Sequence, residues 1–133
     1  MTDLVPSSHR DLLDDTTPAL AVLATTMADG TPQVTLVWFD VVDGLIRINT
    51  ARGRTKYKNM LERPLVALAI IDPKDSYRFI QIRGRVVAST EEGGREHIER
   101  LGKKYRSWGM YPVAPDPVRV IFSIRPEHVT VAT

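Results

Sequence analysis

The 133-residue sequence contains no cysteine. Disulfide bonds, thiolate metal sites and cysteine nucleophiles are therefore excluded, and a reducing compartment such as the cytoplasm is expected. No apolar run approaches the ~20 residues that a membrane-spanning helix needs, and the first residues lack the basic and apolar segments of a signal peptide. The sequence predicts a cytoplasmic protein with no membrane partner.

A large charge of one sign is also missing, because 18 Lys and Arg face 16 Asp and Glu for a net charge of +2. This is too little to indicate general nucleic-acid binding. The sequence has no GxxxxGK[ST] and no GxGxxG, so neither a P-loop nor a Rossmann site is expected. His9, His97 and His128 have no partner at metal-ligand spacing, so no metal site is expected. The length suits one domain over 1–133.

Apolar runs between turn signals predict a mainly β fold. Three runs, ALAVLATTM, QVTLVWFDV and LIRINT, are separated by turns at Asp29-Gly30 and Asp43-Gly44, which predicts an antiparallel meander. Two further strands are LVALAIID and YRFIQIRGRVVAS, where Gly84 indicates a bulge or a close backbone approach. A last strand, broken near Pro126, closes the chain. Six or so strands with short helices favour a small barrel.

Three short helices are predicted from SSHRDLLDD, TKYKNMLERP and the segment after VVAST. In the third helix, Ser89 and Glu92 match a capping box. Its inner stripe would be Gly94, Ile98, Leu101 and Tyr105. His97, next to that stripe, is predicted to lie on the helix surface.

The segment NTARGRTKYKN places Arg52, Arg54, Lys56 and Lys58 at alternate positions with no carboxylate among them. Cations are disfavoured in the first turn of a helix, because free N–H groups already make that end positive. The same arrangement of N–H groups, a threonine hydroxyl and cationic side chains suits an anion. The segment therefore predicts a phosphate site, with a solvated basic turn as the alternative.

Aromatic side chains give two weaker indications. Trp38 is predicted to be either a core residue or a wall of a cofactor site. The segment YRSWGMYP is predicted to be a loop in which Trp108, Met110 and Tyr111 would be exposed, and a substrate-pocket lid or a dimer contact would explain such exposure.

The blocks LATTMADGTPQVTLVWF, IRINTARGRTKYKNMLERPLVALAIID and IQIRGRVV resemble the split-barrel flavin and deazaflavin oxidoreductases, the relatives of pyridoxamine 5′-phosphate oxidase. The similarity runs from about Ala19 to Val131 and is most specific in NTARGRTKYKNM. It implies a six-stranded antiparallel split β-barrel that works as a homodimer, with the cofactor in a groove between the subunits.

The resemblance also implies the residues that bind the cofactor, which are Thr35, Leu36, Val37, Thr50, Ala51, Arg54, Thr55, Lys56, Lys58 and Tyr77. The first three would run alongside the ring, and the next two would contact the ring or the phosphate. The four that follow would hold the phosphate, and Tyr77 would come from the partner subunit. No catalytic residue is assigned.

The chain lacks the C-terminal Trp and Arg pattern of the pyridoxamine phosphate oxidases. The resemblance instead favours the short branch that uses coenzyme F-420, whose anionic tail suits the cations. The implied function is hydride transfer to an electron-poor conjugated acceptor. The alternative is an FMN-binding relative, either a flavin oxidoreductase or a flavin- or heme-binding module. An RNA-binding domain is disfavoured, because Tyr57 is the single aromatic residue among the cations.

Overall fold

The computed structural model describes residues 4–106 and 117–132, which form a mainly β fold as predicted. The strands are β1 (Leu20–Thr26), β2 (Pro32–Val37), β3 (Phe39–Val42), β4 (Leu45–Ala51), β5 (Leu65–Asp72), β6 (Asp75–Thr90) and β7 (Arg119–Ala132). A 3-10 helix, Ser7–Leu13, precedes them. Helix α1 (Thr55–Glu62) connects β4 to β5, and helix α2 (Gly94–Arg106) follows β6.

The strands form one antiparallel sheet in the order β2-β1-β5-β6-β7-β4-β3. Its two edge strands, β2 and β3, are consecutive in the chain and separated by Trp38 alone, so the sheet curls until its edges meet. The run predicted as one strand is thus divided at Trp38, because its first part pairs with β1 and its second part with β4. If β2 and β3 are counted as one bent strand, the barrel has the six strands expected.

Both predicted hairpin turns are present. At the β3–β4 turn, Asp43 and Gly44 have φ values of 53° and 78°, the pair of positive angles that a two-residue type I′ turn requires. At the β1–β2 turn, the Asp29 carboxylate accepts hydrogen bonds from the backbone N–H and the hydroxyl of Thr31. The meander is therefore confirmed as two hairpins that share the bent strand.

The core lies inside the barrel, where alternate residues of every strand point. Its largest fully buried side chains are Phe39, Phe122, Leu12, Leu23, Ile46, Ile48, Met60, Ile70, Ile80, Ile82 and Ile124. The 3-10 helix contributes Leu12 and α1 contributes Met60, so each short helix packs against the barrel through a fully buried apolar side chain.

The long pairing of β6 with β7 is irregular where Gly84 meets Pro126. A Cβ on Gly84 would lie 2.6 Å from the carbonyl oxygen of Arg125, so the predicted close approach is confirmed. The predicted break near Pro126 is wrong, because β7 continues through it to Ala132. Proline has no N–H to donate, and the sheet accommodates it with a register shift between Arg83 and Gly84.

Helix α2 shows the predicted inner stripe but corrects two other expectations. Ser89 lies in β6, and the turn before the helix is closed by the Glu92 N–H donating to the Thr90 hydroxyl at 3.1 Å, so the predicted capping box is wrong. His97 is only 2% exposed, so its predicted surface position is also wrong. Its burial has a physical reason, since a buried carboxylate and amide satisfy both ring nitrogens.

The loop residues Trp108, Met110 and Tyr111 lie outside the described residues, so their predicted role is untested. Within residues 4–106 and 117–132, no helix is both long enough and apolar enough to cross a membrane.

Candidate functional site

A cavity of about 420 Å³ lies where β4 ends, α1 begins and β7 starts. Its lining residues come from the bend between β2 and β3, from α1 with its N-cap, from α2, and from β1, β4 and β7. They are Leu20, Ala21, Leu36, Val37, Trp38, Asn49, Thr50, Arg54, Lys56, Ile98, Arg106 and Arg119. One part of this lining is apolar and the other is cationic, so the cavity suits a ligand with a flat apolar portion and an anionic portion.

The cationic part is built on the turn that leads into α1. Gly53 has a φ of 93°, which turns the chain after β4, and the Arg52 N–H donates to the Val118 carbonyl at 2.9 Å. The helix begins at Thr55 without a side-chain cap and without an acidic residue in its first turn. Its first N–H groups therefore leave this end positive, as the sequence predicted.

The cations of the cavity influence one another. Burial lowers the pKa of Lys56, and the neighbouring positive charges of Arg54 and Arg119 lower it further. Arg52 has a different environment, because it pairs with Glu91 at 3.0 Å and does not line the cavity. A bound anion would relieve the repulsion among Arg54, Lys56 and Arg119, so the cavity is electrostatically suited to one.

Thr50 gives a second indication of a ligand. Its side chain is only 2% exposed, it lines the cavity, and its hydroxyl has no hydrogen-bond partner among the described residues. An unpaired buried hydroxyl costs about 1–3 kcal/mol. A phosphate oxygen in the cavity could accept a hydrogen bond from this hydroxyl, so the residues present fit an anionic cofactor.

The apolar part of the lining includes Leu36, Val37 and Trp38. The ring of Trp38 is stacked on Tyr105, with centroids 5.3 Å apart and planes 3° from parallel. Trp38 therefore packs against Tyr105 of α2 and also lines the cavity, and its predicted role as a wall of a cofactor site stays a prediction. Leu36 is 71% exposed, which places it at the open rim.

A buried chain of polar groups leads from the cavity to the other side of α2. The Asn49 amide donates to the Gly94 carbonyl at 2.9 Å and contacts Nδ1 of His97 at 3.1 Å. His97 Nε2 lies 3.1 Å from Oδ1 of Asp40. Arg47, opposite Asp40 in the β3–β4 hairpin, donates to both carboxylate oxygens at 3.0 and 2.8 Å.

Asp40 is ionised despite its burial. Burial alone would raise the pKa of this carboxyl, but the hydrogen bonds from His97 and Arg47 outweigh it and hold the pKa well below its usual range. Asp40 is thus a fixed negative charge in this series of hydrogen-bonded side chains, at the end that lies away from the cavity.

The structure brings together part of the predicted cofactor-binding set. The members that line the cavity are Leu36, Val37, Thr50, Arg54 and Lys56. The members that are adjacent in sequence but outside the lining are Thr35, Ala51, Thr55 and Lys58. Tyr77 lies near the start of β6, also outside the lining, and is 79% exposed. No coenzyme contact is established for any of them, and the set stays a prediction.

Sequence reasoning missed Asn49, Arg119 and the Asp40–His97 pair. One signal was available, since the Asp43-Gly44 turn places Asp40 directly opposite Arg47 in the hairpin. Within the described residues, no group of three or more His, Asp or Glu side chains could hold a metal ion.

Comparison with solved structures finds an F420 reductase that is 32% identical, with a TM-score of 0.84 over 95% of this chain and 98% of that one. A conserved hypothetical protein from Mycobacterium tuberculosis is 23% identical, with a TM-score of 0.70 over 99% of this chain and 88% of that one. General stress protein 26 from Bacillus anthracis is 17% identical, with a TM-score of 0.65 over 92% of each chain. The last two similarities show the fold alone.

No curated protein sequence matches this chain significantly. The family model described as pyridoxamine 5′-phosphate oxidase matches residues 7–132, which is nearly the whole chain. Together with the curled antiparallel barrel and the 32% identical structure, this match shows that the chain belongs to the pyridoxamine 5′-phosphate oxidase family of split-barrel flavin-binding proteins.

Proposed function

We propose that this protein is a coenzyme F-420-dependent reductase that delivers hydride to an electron-poor conjugated acceptor. The observation that carries the proposal is a cavity in which Arg54, Lys56 and the unpaired Thr50 hydroxyl adjoin an apolar wall. An anionic tail and a flat ring on one ligand match these two parts. When bound, the deazaflavin supplies the hydride chemistry, and the protein supplies position and electrostatics.

The residues of this chain have separate tasks in the proposal. Arg54, Lys56 and the free N–H groups of the first turn of α1 bind the phosphodiester, and the Thr50 hydroxyl donates to one of its oxygens. Leu36 and Val37 lie along the ring and exclude water from one of its faces. The fixed stacking of Trp38 on Tyr105 keeps that wall rigid.

Two observations favour the deazaflavin coenzyme over FMN. The 32% identical relative is an F420 reductase. The cavity also holds the cations Arg106 and Arg119 beyond Arg54 and Lys56, which suits a tail with more than one negative charge. FMN, with one phosphate, remains the alternative, because the same cations can bind it.

A heme-binding module is not supported, because none of the three histidines lines the cavity. His9 bonds to the Ala132 carbonyl at 2.7 Å, and His97 lies between Asn49 and Asp40. His128 lines a separate groove on the outer face of the sheet. No axial ligand is available from them in this cavity.

The outer face of the sheet supports the proposed homodimer. A groove of about 660 Å³ crosses it, lined by residues of β1, β5, β6 and β7. Val34 and Leu36, both exposed, extend this surface onto β2 through their pairing with Ala24 and Val22. A second copy covering this face would also border the cavity, because Leu36 belongs to both, and we propose that the exposed Tyr77 of that copy contributes a contact.

The test is titration of the purified protein with F-420 and, separately, with FMN, followed by quenching of tryptophan fluorescence. We expect saturable F-420 binding that is weakened at least tenfold by Arg54→Ala combined with Lys56→Ala, since each charge-assisted hydrogen bond contributes about 1.5–3 kcal/mol. Lys103→Ala, which removes an exposed cation of α2 outside the cavity, is the control. Equal affinity of the double variant and the wild type would contradict the proposed site.

A further inference from the structure

Arg119 is a buried cation of the cavity that the sequence did not indicate. It is only 7% exposed, although it is the first residue of β7. Its backbone pairs with Ala51 at the end of β4, and its carbonyl lies against Gly94, where a Cβ would clash. The backbone of Arg119 is therefore fixed from two sides, by the strand that carries Thr50 and by the start of α2.

The Arg119 side chain is oriented by Asn49. Nη1 of Arg119 donates to Oδ1 of Asn49 at 3.4 Å. The Asn49 amide nitrogen faces the Gly94 carbonyl, which can only accept, so this nitrogen must be the NH2 group and the oxygen must face Arg119. The orientation of the Asn49 amide, with its acceptor towards the cavity, is thus determined by its surroundings.

His97 and Asp40 enforce the same orientation from the other side. Because the Asn49 NH2 group can only donate, Nδ1 of His97 accepts, and the ring proton lies on Nε2. That Nε2–H donates to the Asp40 carboxylate, which is itself held by Arg47. The three hydrogen bonds of this network therefore point the same way: Arg119 donates to Asn49, Asn49 donates to His97, and His97 donates to Asp40.

We propose that Arg119 is a further anion-binding residue of the cavity and that Asn49, held by His97 and Asp40, is its positioning residue. The ligand group is a phosphate or phosphodiester oxygen, so the inference rests on the proposed function and deepens it. Thr50, which pairs with Val120 next to Arg119, also lines the cavity, and its buried hydroxyl has no hydrogen-bond partner among the described residues. Arg54 and Lys56 bind the anion from the helix side, and Arg119 and Thr50 bind it from the strand side.

The proposal is tested by F-420 and FMN titrations of variants, each first checked for folding by circular dichroism. Arg119→Gln should weaken binding about 10- to 100-fold, as expected for one lost charge-assisted hydrogen bond. Arg119→Lys, which keeps the charge but not the planar fork, should recover part of this loss. Lys103→Ala, a cation outside the cavity, should bind as the wild type does.

Positioning is distinguished from a merely structural role by a double-mutant cycle. If Asn49 acts through Arg119, Asn49→Ala combined with Arg119→Gln should bind no more weakly than Arg119→Gln alone. Additive losses would show that Asn49 acts independently and would overturn its positioning role. Asn49→Ser replaces Asn49→Ala in the cycle if the alanine variant does not fold.

The outcomes for the site and for the inference are separable. Wild-type protein that binds neither coenzyme overturns the proposed function and this inference with it. Wild-type protein that binds a coenzyme, together with an Arg119→Gln variant of equal affinity, overturns the inference alone.

Discussion

At the scale of single residues, the molecule buries ionised and polar side chains where apolar residues would carry a smaller desolvation cost. Asp40 and His97 are both nearly fully buried, yet each has its partners, and together with Asn49 they occupy space between α2 and the sheet. Replacing a whole buried network of this kind by apolar residues is often neutral for stability, whereas removing one partner lowers the stability because the other charge stays buried and unpaired. Single substitutions of these side chains can therefore measure how much each one contributes to the free energy of unfolding.

Asp40→Asn should lower the free energy of unfolding at neutral pH by about 3–5 kcal/mol, because it leaves Arg47 and His97 without their carboxylate. The pKa of Asp40 is depressed in the folded protein, so its stabilising contribution is present above the unfolded value of about 4 and is lost as the pH falls below it. Urea unfolding of the wild type and the variant at a series of pH values from 7 to 3 measures the free energy of unfolding of each. The difference between variant and wild type should shrink on acidification, and a constant difference would contradict the assignment.

At the scale of elements, helix α1 begins in a way that favours binding over stability. Its N-cap position is occupied by Arg54, which makes no side-chain cap, and the first turn has no acidic residue. Asp or Asn would be the stabilising choice at this position. The helix thus carries an electrostatic penalty at the site where the anion is proposed to bind.

Arg54→Asp should therefore stabilise the protein and impair coenzyme binding at once. The carboxylate supplies a cap of about 0.5–2 kcal/mol and a favourable charge at the helix N-terminus, while it repels the anionic tail. Thermal unfolding and coenzyme titration of the same samples are the measurements. Arg54→Asn is the matched control, since it supplies the cap without the negative charge and should lose less affinity. A variant that is stabilised and binds normally would exclude Arg54 from the site.

At the scale of the whole molecule, the cavity and the apolar outer face share a boundary at Leu36. Val34 lies on that outer face, paired with Ala24, and does not line the cavity. It therefore allows the dimer to be perturbed without touching the coenzyme directly.

Val34→Glu should convert the proposed dimer to a monomer in gel filtration with light scattering, because two copies of the charge would be buried in the interface. Coenzyme affinity should fall with dissociation if the partner completes the cavity. Val34→Ile preserves the apolar surface and should remain dimeric. A wild-type monomer with full coenzyme affinity, or a Val34→Glu monomer that binds normally, would refute the shared groove.

Local patterns in the sequence were sufficient for much of the fold. The alternation of apolar residues and the Asp-Gly turns predicted the hairpins, and the cationic segment predicted the positive start of α1. These features depend on residues a few positions apart, so a pattern can reveal them. The predicted capping box is wrong because a distant contact prevailed over the local pattern. Ser89 lies in β6 and pairs with Phe122 of β7.

The sequence by itself determined the strands, the tight turns and the position of the unbalanced positive charge, because each depends on neighbours in the chain. Only the tertiary structure decided that the strand bends at Trp38 to close the barrel, since that bend is set by which distant strand pairs with each half. It alone also brought Arg119 to Asn49, 70 positions earlier, and His97 to Asp40. The physical reason is that packing α2 against the sheet buries polar groups on that face, and these groups must find partners far away in sequence.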